Sequence, residues 1–182
     1  MESDAGEPWN RGFDLYRMYV EASNLDYVSR VVVGSYRVGF GRGLLIGQQR
    51  YGSRLSQVLD RGNSVYGVRG YGGVSEMPGL VGGAVEMDFG GFRVTPFYGC
   101  TVFDADTIGG RWSSYSTEGY HRSELEICRR GTVDMHTAGV NVGYRGRFWS
   151  LGATAYGGFF SLPFVKSDNF DFEGDRQWGV SM

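Results

Sequence analysis

Apolar and other residues alternate with a period of two along residues 31–40. Val32, Gly34, Tyr36, Val38 and Phe40 fall on one side of an extended backbone, and Val31, Val33, Ser35, Arg37 and Gly39 on the other. That period is the signature of a β-strand. Ten residues also match the span of a tilted membrane-crossing strand, about 9–11. One side is wholly apolar and the other carries a charge, so the apolar side is expected to face outward. The run Gly39-Phe40-Gly41-Arg42-Gly43 ends the strand.

The same grammar recurs before and after. A strand over 13–23 places Tyr16, Met18, Val20 and Ala22 opposite Arg17 and Glu21, and Asn24, Leu25 and Asp26 supply turn chemistry before a strand over 28–40. A glycine-rich connection covers 41–79. The clearest hairpin follows, with strands 81–89 and 92–103 joined by Gly90-Gly91, a two-residue turn of the primed type. The turn pairs Phe89 with Phe92, Met87 with Val94 and Gly83 with Tyr98 on one face, and Asp88 with Arg93 and Glu86 with Thr95 on the other. Pro96 cannot donate to a ladder, so a bulge or a missing bond is expected there.

A second long connection covers 104–132. In it Ser123-Glu124-Leu125-Glu126 reads as a helix-opening capping box, Arg129 and Arg130 suit the helix C-terminus, and Gly131 is its stop. Strands 133–144 and 147–156 then flank an Arg145-Gly146 turn. Ala138, Val140 and Val142 point one way, and Thr137, Gly139 and Asn141 the other. The polar or tiny side is no core for a soluble sandwich. A third irregular stretch over 157–169 precedes a poorly alternating strand over 170–180.

Three short turns thus alternate with three long connections, placing all tight turns at one end of an up-and-down meander. Outer-membrane barrels have this asymmetry. The expected fold is all-β: one antiparallel meander over residues 1–182, part of a transmembrane β-barrel, with a short helix in one long loop. Tyr16, Tyr36, Phe89, Phe92, Tyr144 and Trp149 lie toward strand ends, as aromatic girdles do. The soluble alternative, a β-sandwich or lipocalin-like barrel acting as a binding protein, leaves that clustering unexplained. Six clear strands and one poor one fall short of a closed barrel, which takes at least about eight and an even number. These residues are therefore expected to form an open curved sheet with the first and last strands as edges, completed by further strands of the same polypeptide.

Composition fits this picture. Glycine makes up 31 of 182 residues, about 17% against a usual 7%. Aromatics at 15% exclude ordinary disorder, and a net charge of −2 leaves no basic footprint for nucleic acid. No apolar run approaches the roughly 20 residues of a membrane helix. The acidic, polar start MESDAGEPWNRG is not a secretory signal. Cys100 and Cys128 lack metal spacing.

Candidate chemistry is sparse. Arg17, Glu21, Arg37, Glu86, Asp88 and Arg93 are candidates to line a lumen, where charge either tunes permeation or zips a small barrel shut. Glu118, His121, Arg122 and Glu126 form a candidate loop cluster that folds the second long connection back toward the lumen. His136 is expected at the outward-facing interface. Asp104 and Asp106 could offer oxygen ligands to a cation but read better as solvated loop charge. No nucleophile–base set, metal cluster or phosphate loop stands out, and GFGRG lacks the spacing of a nucleotide motif. Neither enzyme activity nor a cofactor is expected.

Four blocks also resemble a family. GSYRVGFGRGLLIG (34–47), the VRGYGGVSE run ending at Glu76, GGAVEMDFGGFRVTPFYGCTVFDAD (82–106) and TEGYHRSELEICRRGTVDMHTAGVNVGYRGRFWSLGAT (117–154) are similar to barrel segments of the helix-hairpin-helix-containing outer-membrane proteins of Bacteroidetes. Ser35 stands where that family has an acidic residue, Arg42 where it has Gln, and Ser123 where it has Thr. The resemblance implies a bacterial outer-membrane location, with the lipid bilayer as partner. The family's helix-hairpin-helix module is not in these residues, so the resemblance implies a fragment that meets nucleic acid only through a module outside it. The expected function is a structural or transport barrel, the alternative being the barrel part of a DNA-binding or DNA-uptake surface component.

Overall fold

A computed structural model describes residues 18–41, 46, 67–72, 79–115, 124–165 and 173–182. The elements are β1 (Tyr19–Leu25), β2 (Val28–Gly39), β3 (Gly67–Gly70), β4 (Leu80–Phe89), β5 (Phe92–Phe103), β6 (Ala105–Ile108), β7 (Arg111–Tyr115), α1 (Glu124–Arg129), β8 (Val133–Arg145), β9 (Ser150–Phe164) and β10 (Gly174–Ser181). The fold is nearly all β and forms one sheet curled into a half-barrel. Its backbone is the antiparallel meander β1-β2-β4-β5-β8-β9, with β10 on the far side of β9. Among the described residues β1 pairs only with β2 and β10 only with β9, so the sheet is open at both ends.

Turn chemistry sets the hairpins. Asn24 and Asp26 take positive φ around the β1–β2 turn, and Gly90 and Gly91 do so between β4 and β5. The Gly-Gly turn fixes the register: Phe89 opposes Phe92, Asp88 opposes Arg93, Met87 opposes Val94 and Gly83 opposes Tyr98. The β4–β5 ladder then breaks opposite Thr95 and Pro96 and resumes at Ala84–Phe97, so Glu86 and Thr95 form no ladder pair. The missing Pro96 N–H explains the gap.

The β8–β9 register differs from the one a two-residue Arg145-Gly146 turn would set. Arg145 pairs with Ser150, Tyr144 with Leu151 and Val140 with Ala155. The connection is residues 146–149, closed by Gly146 N–H donating to the Trp149 carbonyl at 2.9 Å. The slip is four residues, an even number, so every side chain keeps its face. β9 also runs on to Phe164, through residues read as a loop. Gly157 and Gly158 blur the alternation there, but pairing with β8 and β10 on both sides holds the segment extended.

The long connections are partly structured. Gly109 and Gly110, both at positive φ, turn β6 into β7, and this small hairpin joins the end of β9 at Trp112–Phe164. Trp112 is buried there with Ala105 and Val133, against Phe160, Leu162 and Phe164. α1 ends with Arg129 in its last turn, and Gly131 follows at φ 58°.

β2 is not a straight strand. Val38 pairs with Val68 of β3, while Arg30 pairs with Glu86 of β4. Eight residues of straight strand would put these positions about 27 Å apart. Yet Val68 N–H donates to Glu86 Oε1 at 2.8 Å. The second half of β2 therefore bends back over the sheet, carrying β3 with it. Gly34, at φ 108°, breaks the regular strand geometry just before the bend, and a Cβ there would lie 2.3 Å from the Met18 carbonyl oxygen; β2 stays paired with β4 through Tyr36. The apolar side of β2 faces inward, not outward as expected, because its register pairs Val32 with Glu21 of β1 and Ala84 of β4 on the concave face. Val32, Tyr36, Val38 and Phe40 are buried with Val68, Ala84 and Phe97 on the concave face, and Ile46, Leu80 and Tyr156 pack against them.

Candidate functional site

The two faces of the sheet have opposite chemistry. On the convex face, Met87, Val94, Val142 and Ala153 form one cross-strand row. Pro96, Val140, Ala155 and Val180 form the next. Val20, Val33 and Gly83 extend the apolar surface toward β1. None of these side chains ionises. Val20, Val33, Val81, Leu151 and Val180 are each more than half exposed, an arrangement that water does not favour for contiguous large apolar side chains.

Aromatic residues bracket this band. At the tight-turn end Phe89, Phe92 and Tyr144 share a row. The rings of Phe92 and Tyr144, and of Tyr144 and Trp149, lie with centroids 4.7 Å apart, and Tyr27 stacks near Phe89 at 6.2 Å. At the other end Tyr98, Ala138, Gly157 and Trp178 form a row, followed by Cys100, His136, Phe159 and Arg176. His136 is exposed, and its Nδ1 lies 2.9 Å from the Tyr98 hydroxyl, with the two rings stacked. Phe92 to Cys100 is eight residues, about 27 Å along the strand. A strand tilt of about 35–45° shortens that to roughly 20 Å of height, the scale of a membrane barrel's apolar band of about 25 Å. Tyr36 does not join either aromatic row. It is fully buried on the concave side, where its hydroxyl donates to the Tyr98 carbonyl at 2.7 Å and lies 3.2 Å from that of Gly83.

The concave face carries a charged cluster beside the apolar patch. Glu21, Glu86, Asp88 and Arg93 lie there. Arg30, on the same parity as Val32, joins them. The Arg30 Nη1 is 3.4 Å from Glu21 Oε1, its Nε is 3.8 Å from Glu86 Oε2, and Nη1 donates to the Val68 carbonyl at 2.9 Å. Glu86 accepts from Val68 N–H, and Glu21 accepts from Gly70 N–H at 3.3 Å. Two acids thus share one guanidinium, and all three side chains engage the backbone of β3. Toward the turn, Arg93 donates twice to Asp88, at 2.7 and 3.0 Å, in a fork-to-fork pair. Beyond Glu86 a polar row continues through Thr95, Asn141 and Thr154. Asn141 Nδ2 donates to Thr154 Oγ1 at 2.8 Å, whereas the buried Thr95 hydroxyl has no hydrogen-bond partner among the described residues.

The other sequence candidates separate from this cluster. Arg37 lies past the bend of β2, half-buried, with its guanidinium carbon 3.3 Å from the centre of the Tyr71 ring. Arg17, Glu118, His121 and Arg122 lie outside the described residues, as does the side chain of Glu126. Asp104 and Asp106 tie the second connection together. Asp104 Oδ1 accepts from Gly131 N–H at 2.7 Å, and Asp106 accepts from Ser114 at 2.8 Å and pairs with Arg129. Among the described residues no three metal-capable side chains gather, and no helix is long and apolar enough to cross a membrane, which says nothing of crossing by strands. Both cysteines are free thiols.

Arg30 is the interior residue that sequence reading missed. Its signal was a lone cation on the otherwise apolar parity of β2, which a buried face accepts only with an acidic partner. Compared with known proteins, the chain matches no protein family, no curated protein and no solved structure.

Proposed function

We propose that this chain is part of a β-barrel of a bacterial outer membrane, serving a structural or transport role. The observation that carries the reading is the uncharged convex band between two aromatic rows, set against a concave face that holds the Glu21–Arg30–Glu86 and Asp88–Arg93 ion pairs. A water-soluble sheet with one buried side puts these the other way round. In lipid every backbone polar group needs a partner, at several kcal/mol each if left without. The open edges at β1 and β10 would therefore be covered in the membrane by further strands of the same polypeptide. Membership of the Bacteroidetes family named above belongs to the same proposal and rests on the sequence blocks alone.

Fractionation tests it. The protein should appear with outer membranes and need detergent for release. Environment-sensitive labels at Val94, Val140 and Leu151 should report lipid, and labels at Thr95, Asn141 and Thr154 a polar or shielded interior. Recovery of the protein as a soluble monomer would end the proposal. Single-channel recording on the full chain then separates a pore from a purely structural barrel.

A further inference from the structure

We propose that β3 and the bent end of β2 form a built-in plug of the barrel interior, held shut by a latch of Glu21, Arg30 and Glu86. The inference rests on the barrel reading and says what occupies that barrel's lumen. Three features point to it. Past Tyr36, the last residue of β2 paired with β4, the end of β2 and β3 cross the concave side of the sheet. There Phe40 meets Phe97 at a centroid distance of 5.7 Å, and Val68 joins the same buried cluster. Moreover, β3 is fastened by side chains of three sheet strands: Glu21 of β1 takes Gly70 N–H, Arg30 of β2 takes the Val68 carbonyl, and Glu86 of β4 takes Val68 N–H.

The sheet is also shaped for this segment. A Cβ at Gly67, whose φ is 60°, would lie 1.9 Å from Glu86 Oε1, and one at Gly70 would lie 2.1 Å from the Tyr19 ring, so any larger residue would push Glu86 or Tyr19 aside. Glu86→Ala takes the acceptor from Val68 N–H and Glu21→Ala takes it from Gly70 N–H, while each keeps Arg30 beside the other acid, so the loss falls on the fastening of β3. Breaking the latch should therefore free β3 as a unit rather than loosen one bond.

The test uses the full chain with Glu86→Ala and, separately, Glu21→Ala. Arg69 in β3 is exposed, so trypsin cleavage at the Arg69–Gly70 bond reads release of β3. In detergent, both variants should be cut there faster than the parent, by about tenfold or more, since cleavage follows local opening. In planar bilayers they should show larger or more frequent conductance steps. Unchanged cleavage in a folded variant overturns the latch. Faster cleavage with unchanged conductance in inserted protein overturns the plug. If parent and variants alike fail to enter bilayers, the barrel reading is lost, while the proteolysis in detergent still decides the latch. Should Glu86→Ala fail to fold, Glu21→Ala, on the exposed edge strand, decides alone.

Discussion

β8 shows the difference between the two faces within one strand. Val140 and Asn141 are neighbours in the chain, yet one lies in the apolar convex band and the other donates to Thr154 across the concave polar row. The bent half of β2 inverts the arrangement: Tyr36 and Val38 are buried where β8 places amides and hydroxyls. A sheet face here is apolar for two separate reasons. The convex band is apolar although no described residue covers it, as the proposed lipid contact requires. The concave patch is apolar because β2 and β3 do cover it. Substitutions should separate the two.

The largest effect is expected at Gly34. Any side chain there meets the Met18 carbonyl at 2.3 Å, and a non-glycine residue at φ 108° costs about 1–3 kcal/mol in backbone strain alone. Gly34→Val should therefore abolish the bend and the docking of β3, seen as loss of folded protein or of β3 protection; a variant as stable as the parent would show that the bend is not needed. Next comes Val140→Arg, which should cost about 2–4 kcal/mol in lipid if Val140 lies near the midplane, with Asn141→Arg costing much less. Urea titrations in micelles compare them, and equal costs would contradict the assignment of faces.

Smaller again is Tyr36→Phe, which removes a hydroxyl shared by two partly buried carbonyls and should cost about 0.5–1.5 kcal/mol. The smallest is Arg93→Ala. The Asp88–Arg93 pair has good geometry, but its side chains are 43% and 50% exposed, so the loss should be about 0.2–1 kcal/mol and shrink in high salt. A large, salt-independent loss would mean the pair is enclosed in the full barrel.

Much of the meander was legible because two-residue periodicity and turn chemistry are local signals. Gly90-Gly91 gave the β4–β5 register residue by residue, and Pro96 gave the place where the ladder breaks. The same signals explain the misses. A period of two cannot tell one register from another two or four residues away, so the β8–β9 pairing slipped while its faces stood. Alternation separates two faces of a strand without saying which one meets the interior, and at β2 the covering segment came from far along the chain. The β6–β7 hairpin had a readable cue in Gly109-Gly110, the same dipeptide as Gly90-Gly91. The interior cluster was half legible: Glu21, Glu86, Asp88 and Arg93 came from parity, but Arg30 needed the register with Glu86 to find its partners.

The Tyr36 hydroxyl also sets an order of events. Its two carbonyls belong to Gly83 of β4 and Tyr98 of β5, which face each other across a hairpin whose turn is only two residues long. That hairpin can close locally, on a timescale of about 1–10 μs for such structures. Only after it has closed do the two acceptors stand side by side to receive a ring from a strand some 50 residues earlier in the chain. Docking of Tyr36 is therefore expected late, after the β4–β5 register is set. In refolding kinetics Tyr36→Phe should quicken unfolding and leave the folding rate nearly unchanged, whereas a slower folding rate would place the docking of β2 at the start.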